Sequence, residues 1–225
     1  MKFDENYYKN NTQDKDRPAL WMYKRLWSRY CSNGPVLDFG CGVGHLSRRL
    51  SNHAQVYGLE INPFAKQQIL LNAPTVRVLS SLDEIPDSTL SSIISLHVLE
   101  HISDQDLDNI GRHFNRILKS GGRSIFVMPD LNGKASLIKK DKWLALYDPT
   151  HINLKSAEDW YKYFEEKWGM KVIRNAADGY YDFPYERWNL LDIFRLVRTG
   201  IQFVLGRLIL KHGDGEAVIF VLEKP

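Results

Sequence analysis

The sequence predicts an α/β fold: a seven-stranded, mostly parallel sheet with helices on both faces and a helical lid insertion before the last strand. Three observations predict it. Short apolar runs bounded by turn residues alternate with longer stretches of helical periodicity, the rhythm of strand–helix–strand units. A glycine-rich turn follows the first apolar run directly. The composition, 44% hydrophobic and 25% charged, is that of a globular chain and sets aside disorder and coiled coil.

Taken in order, a helix over about Ala19–Tyr30 is expected to cover the ligand end of the sheet. Residues 35–39 (PVLDF) read as the first buried strand, 55–60 (QVYGLE) as the second, 75–79 as the third and 92–96 (SIISL) as the fourth. Ser103 is a helix N-cap with Asp106 at the capping-box position; Leu107, Ile110, Phe114 and Ile117 follow at helical spacing, and Gly121 is the expected stop. Residues 123–128 (RSIFVM) form the fifth strand. Ser156 and Asp159 open another helix through Trp160, Tyr163 and Phe164, with Gly169 as its stop. Residues 171–176 and 217–222 complete the sheet. The chain reads as one domain: a cap region 1–32, a ligand-binding core 33–177, a lid insertion 178–214 and a closing strand 215–225.

Charge and cysteine content narrow the function. Thirty basic against 27 acidic residues give a net +3, a smaller excess than a nucleic-acid-gripping domain usually carries, so nucleic acid is not the expected partner. Cys31 and Cys41 form neither a CxxC pair nor a zinc-knuckle spacing. The segment 1–8 (MKFDENYY) lacks the apolar core of a secretory signal, and no run of 18 uncharged apolar residues occurs, so a cytoplasmic location is expected.

The sharpest motif is Asp38-Phe39-Gly40-Cys41-Gly42-Val43-Gly44, placed after a buried strand and at the start of a helix. Such a turn needs glycine for positive φ and for close approach of the backbone to a ligand. Glycine-rich βα turns recur among unrelated nucleotide binders, and spacing separates them. A dinucleotide GxGxxG would need a small residue at 45, where His45 stands; the pattern here is GxGxG led by an acidic residue. No Walker A lysine follows. Glu60, 20 positions after Gly40 at the end of the second strand, is placed to accept the ribose hydroxyls of an adenosine.

VLDFGCGVGHLS resembles motif I of the class I S-adenosylmethionine-dependent methyltransferases, and YGLEINP resembles their second motif. SIISLHVLEHI and ILKSGGRSIFVMPD are similar to the fourth- and fifth-strand motifs. Within that superfamily the chain is similar to the branch of the ubiquinone-biosynthesis O-methyltransferases, which includes bacterial enzymes of glycan and polysaccharide biosynthesis. Residues 148–156 (DPTHINLKS) match its signature before the late helix. The resemblance implies a Rossmann-like domain using S-adenosyl-L-methionine. It implies that Asp38, Gly40, Cys41, Gly42 and Gly44 line the methionine end, that Glu60 and Ile61 hold ribose and adenine, that Ser81 and Leu82 flank the adenine, and that His97 sits by the sulfonium. Ser81 departs from the family pattern, where an acidic residue is common.

Methyl transfer from a sulfonium is an in-line displacement needing alignment and no protein nucleophile, but a hydroxyl acceptor must lose its proton. His97-Val98-Leu99-Glu100-His101 is the cluster of interest, because on a helix positions 97, 100 and 101 share one face. HxxEH also matches the inverted zinc-protease motif, a reading set aside because the motif closes a buried strand. Relatives that methylate catechols or small-RNA ribose carry Glu-x-x-Glu-His here with a later histidine and bind a divalent ion; this chain has His97 in place of the first glutamate. Two readings stand. In the favoured one Glu100 and His101 brace the strand junction while His151 or His97 acts as a metal-free base, with His151 as the preferred catalytic residue and Asp148 orienting it. In the other, His97, Glu100, His101 and His151 hold a divalent metal, and three imidazoles favour zinc, iron or manganese.

About 40 residues separate the sixth and seventh strands, more than a sheet connection needs. The aromatic run 179–185 is a candidate acceptor lining. Leu190, Phe194, Val197, Ile201, Val204 and Leu208 form a helical stripe with Arg195, Gln202 and Arg207 away from it, and Gly200 and Gly206 interrupt its rigidity. A lid packed on the domain is the first reading; a dimer face, or peripheral membrane contact through 188–211 on the inner membrane face, are the others. The sequence thus points to O-methylation of a sugar, glycan or other small-molecule hydroxyl. A polyprenyl- or quinone-type lipid acceptor is the alternative, a non-catalytic nucleoside-binding module the alternative of another class, and a nicotinamide oxidoreductase the third.

Overall fold

The structure, a computed structural model, describes residues 15–179 and 193–225. Its sheet has seven strands in the order β3-β2-β1-β4-β5-β7-β6: β1 Val36–Phe39, β2 Val56–Leu59, β3 Arg77–Leu79, β4 Leu90–Leu96, β5 Leu118–Pro129, β6 Lys171–Ala177 and β7 Ala217–Glu223. The strands pair in parallel from β3 to β5, while β7 runs antiparallel between β5 and β6. All seven predicted strands are present.

Both faces of the sheet are buried, and successive residues divide between two cores. Leu37, Ile93, Phe126 and Phe220 pack on one side with Phe114, Trp160, Phe164 and Trp168. Val36, Ile94, Val127 and Val221 pack on the other with Met22, Leu26 and Trp27 of α1 (Ala19–Tyr30). α2 (His45–Ser51) and α3 (Pro63–Asn72) follow β1 and β2, and α4 (Asp104–Ile117) follows β4. Ser103 and Ser156 cap their helices as expected, each hydroxyl accepting from the backbone N–H three residues on. Gly111 brings α4 against the aromatic core: a Cβ there would lie 2.3 Å from Trp168 Cδ1.

Three expectations need correction. The helix opened by Ser103 ends at Ile117, not at Gly121, because Leu118 already pairs with Leu90 in the sheet. Residues 134–147, to which the sequence assigned no helix, form α5 (Lys134–Lys139) and α6 (Leu144–Tyr147), which precede α7 (Ala157–Lys162). The largest change concerns α8 (Ile193–Leu205), whose apolar stripe faces outward: Val197, Ile201 and Val204 are exposed, while Thr199 and Gln202 are buried. Gln202 Nε2 donates to Ala177 O, and its Oε1 accepts from Ile209 N and Leu210 N. Those backbone groups have to be satisfied where the chain leaves the helix at Gly206 (φ 55°), so the polar face turns inward. Phe203 packs on Trp21 of α1 with ring centroids 5.4 Å apart, and Leu208, beyond the helix, is buried. Residues 180–185 and Leu190 lie outside the described residues, as do the side chains of Phe194 and Arg195.

Candidate active site

In an open parallel sheet the crevice for a ligand lies at the carboxyl ends of the strands where the order reverses, here between β1 and β4. A cavity of ≈ 630 Å³ opens there. It is lined by Asp38 and the turn 40–44, by Arg17 and Leu20 of the α1 region, and by Leu96, His97, Glu100, His101 and residues of the segment 144–151. α1 therefore does reach the ligand end.

The glycine turn has the backbone its composition calls for. Gly40, Gly42 and Gly44 have φ of 72°, 53° and 88°, the left-handed region that costs an L-residue roughly 1–2 kcal/mol. At Gly40 a Cβ would also stand 2.3 Å from Val98 Cγ2. Glu60 ties this turn to the second strand. Its Oε2 accepts from Gly42 N at 2.9 Å, and Oε1 accepts from Ile61 N at 2.7 Å and Asn62 N at 2.8 Å. Three backbone donors thus converge on one buried carboxylate.

Asp38 is buried at 2% exposure and accepts from Ser47 Oγ at 2.5 Å. Burial pushes its carboxyl up to about 7, with the Glu60 charge adding to the rise and the Ser47 hydroxyl opposing it. Ser47, the last residue of the VLDFGCGVGHLS segment, is a site residue that the sequence reading did not single out. The Cys41 thiol is held well above its ordinary value by burial and by the Asp38 and Glu60 charges, so it packs and does not react.

Glu60, Ile61, Ser81 and Leu82 are not in the cavity wall; they lie at or just beyond the ends of β2 and β3. Ile61 is 76% exposed there. The Ser81 hydroxyl is engaged in capping: it accepts from Asp83 N and donates to Asp83 Oδ2. That engagement weakens the role expected of it toward an adenine.

The histidines assemble differently from the expectation. His97 is not on a helix. It follows β4 with φ 56°, outside the 3₁₀ turn Leu99–His101, so the predicted shared helical face does not exist. Its Nδ1 lies 3.5 Å from Glu100 Oε1. Non-glycine residues at such φ cost about 1–3 kcal/mol and concentrate at functional sites.

Glu100, His101 and His151 do come together, with one potential ligand atom from each within 4.8 Å of the others. The His101 and His151 rings lie 4.6 Å apart by centroid. Asn153 N donates to Glu100 O, holding the two chain segments side by side. His151 Nδ1 meets Ala145 O at 2.6 Å. Asp148 Oδ2 is 3.9 Å from His151 Nε2, a charge contact and not a hydrogen bond, so Asp148 does not orient His151 as expected. Asp148 instead accepts from the hydroxyl and the backbone N–H of Thr150, whose Oγ1 is 2.8 Å from His101 Nδ1. Burial alone would raise the Asp148 carboxyl; the Thr150 hydrogen bonds and the two rings hold it below its ordinary value. Burial and the neighbouring His151 lower His101, so its ring is neutral near pH 7. Thr150 was missed as a site residue although it stands inside the quoted 148–156 segment.

With this geometry in view, comparison with known proteins is informative. A methyltransferase domain family matches residues 16–174. An uncharacterized methyltransferase of Bacillus cytotoxicus is 29% identical over 119 residues, covering 47% of this chain and 56% of that one. One from Geobacillus thermodenitrificans is 26% identical over 131 residues, covering 55% and 57%. The chain therefore spans about half the length of the curated relatives it matches. Among solved structures, an S-adenosylmethionine-dependent methyltransferase from Archaeoglobus fulgidus superposes with a TM-score of 0.69 at 18% identity, over 98% of this chain and 100% of that one. A TehB-like methyltransferase from Corynebacterium glutamicum gives 0.61 at 15%, over 98% and 97%. Those two likenesses establish the fold.

Proposed function

This chain belongs to the methyltransferase domain family, and from that premise we propose that it moves a methyl group from S-adenosyl-L-methionine to a hydroxyl oxygen of a sugar, glycan or other small molecule. The observation that carries the reading is one cavity lined both by the glycine turn with Asp38 and by the Glu100–His101–His151 cluster. The residues fit the cofactor: its size suits the cavity, and a buried carboxylate beside turn backbone that lines the cavity suits a cationic amino acid bound to a nucleoside. Asp38 and the turn 40–44 would hold the methionine end and Glu60 the ribose. When bound, the cofactor supplies an electrophilic methyl on a sulfonium.

The chain's own contribution is alignment and acceptor activation. The turn and Asp38 fix the donor, while His97, constrained by its φ, lines the same cavity. Loss of the acceptor proton depends on His151, whose Nδ1–H is directed at Ala145 O, so that the neutral ring carries its lone pair on Nε2. Calorimetry with S-adenosylhomocysteine should show saturable one-site binding. A methyl-release assay over a panel of hydroxyl acceptors should show turnover that falls at least ~100-fold in His151→Ala with cofactor affinity kept. Absence of cofactor binding would end the proposal.

A lipid-carried acceptor is a second reading, favoured by the outward Val197, Ile201, Val204 and Leu205 of α8. No helix among the described residues is long and apolar enough to cross a membrane, so contact would be peripheral. On that reading wild type co-sediments with anionic vesicles and Ile201→Asp/Val204→Asp does not; equal sedimentation of the two removes it.

A further inference from the structure

We propose that Glu100, His101 and His151 form a binding site for one divalent transition-metal ion, zinc, iron or manganese in class, at the acceptor end of the cavity. The inference rests on the methyltransferase reading for its role but not for its existence.

Glu100 supplies the first argument. Its side chain is 0% exposed, and neither carboxylate oxygen has a hydrogen-bond partner. A carboxylate stripped of water without donors costs several kcal/mol, which a fold tolerates only where a positive group meets it. The nearest charge-capable group, His97 Nδ1, stands 3.5 Å from Oε1 without hydrogen-bond geometry.

The two imidazoles supply the second. Ala145 O can only accept, so His151 Nδ1 carries hydrogen and Nε2 carries the lone pair. Thr150 Oγ1 gives its one hydrogen to Asp148 Oδ1, so toward His101 it accepts; His101 is likewise protonated on Nδ1 with its lone pair on Nε2. Each ring is therefore fixed by a partner on the far nitrogen, a carbonyl for one and a hydroxyl–carboxylate relay for the other. That arrangement sets the tautomer of metal-ligating histidines. One ring nitrogen of each histidine and one Glu100 oxygen lie within 4.8 Å of one another, a spacing that one metal ion can span. The buried Glu100 carboxylate, whose oxygens have no hydrogen-bond partner, is the group that a cation at this spacing would satisfy.

Two imidazoles and one carboxylate suit zinc, iron or manganese, whereas calcium and magnesium prefer all-oxygen sets. All three residues line the cavity, so coordination positions beyond these three ligands would face the acceptor. There a bound hydroxyl would become more acidic and release its proton to solvent water. The oxygen's electron pair then forms the new O–C bond as the C–S bond breaks, leaving a neutral thioether. His151 acts in this scheme as a ligand, which explains why deprotonation would depend on it.

The test uses the full chain, stripped with chelator and titrated with Co(II) as a spectroscopic probe. The expected result is one equivalent bound with a visible d–d band, displaced by Zn(II). Glu100→Gln and His151→Ala should each weaken Co(II) binding at least ~100-fold, while His113→Asn, remote from the cavity, should not change it. S-adenosylhomocysteine calorimetry on the same samples reports folding and cofactor binding separately. Wild type that binds no Co(II) at micromolar concentration overturns the site, as does a His151→Ala protein that binds cofactor and holds Co(II) as tightly as wild type. Metal binding without cofactor binding would instead overturn the methyltransferase reading and leave the site standing.

Discussion

Replacing Asp38 with asparagine should stabilise the protein at pH 8 while destroying its grip on the cofactor. The wild-type carboxyl titrates at about 7 in the fold and at about 3.8 in the unfolded chain, chiefly because it is buried. Between those values the native state holds a proton that the unfolded state has lost. Asp38's contribution is therefore fully present below pH 3.8 and is lost as pH rises through 7. Three pKa units correspond to about 4 kcal/mol at about 1.36 kcal/mol each. The amide of the Asp38→Asn variant carries no such penalty and still accepts from Ser47. Chemical denaturation should show the variant gaining little near pH 4 and about 4 kcal/mol above pH 7. Cofactor binding should move the opposite way. A cationic ligand favours the ionised carboxylate, so wild-type affinity should rise about tenfold between pH 6 and pH 8 with proton release. The variant should bind at least tenfold more weakly and without that slope. A pH-independent wild-type affinity would show that Asp38 does not face the cofactor's charge.

The opposition between stability and binding at one residue bears on what was legible in the sequence. The strands were readable within a few residues, except β5, because the interior ones such as β1, β4 and β7 are buried on both faces and mostly apolar. The glycine turn was readable because only glycine takes those three φ values cheaply. Ser103 and Ser156 were readable because capping is local chemistry. What failed was whatever depended on distant partners. Helical periodicity assumes that an apolar stripe faces inward, and in α8 the need of Ile209, Leu210 and Ala177 for hydrogen bonds from Gln202 outweighed it. α5 and α6, six and four residues long, are too short to show any period. The assumption that His97 lies on a helix failed because a positive φ at a histidine leaves no trace in composition. Of the cofactor end, Asp38, the turn and Glu60 were visible as a motif. The Asp148–Thr150–His101 relay was not, since it joins residues 49 positions apart in the chain.

Glu60→Gln, a change that alters neither size nor shape, should be nearly as damaging to this protein as Glu60→Ala. The carboxylate has two acceptor oxygens, and both are in use: one by Gly42, the other by Ile61 and Asn62. An amide offers only one oxygen. Turned so that its oxygen meets Ile61 and Asn62, its NH₂ faces the Gly42 N–H, donor against donor; flipped, it opposes two donors instead. Either way a charge-assisted hydrogen bond, worth roughly 1.5–3 kcal/mol, is replaced by a repulsive contact. Glu60→Ala leaves three backbone donors to water and should cost about 3–5 kcal/mol. The loss is local, at the join between the turn and β2, so Glu60→Gln should fold with its melting midpoint lowered by several degrees. Its turn would no longer be held against β2, and the ribose would meet a donor where an acceptor is required. S-adenosylhomocysteine affinity is accordingly expected to fall at least ~100-fold in both variants. Saturating S-adenosylhomocysteine should raise the melting midpoint of wild type and leave that of Glu60→Gln nearly unmoved. A Glu60→Gln protein with wild-type affinity would mean that the carboxylate serves the turn alone, and that the ribose is held elsewhere along the ends of β2 and β3.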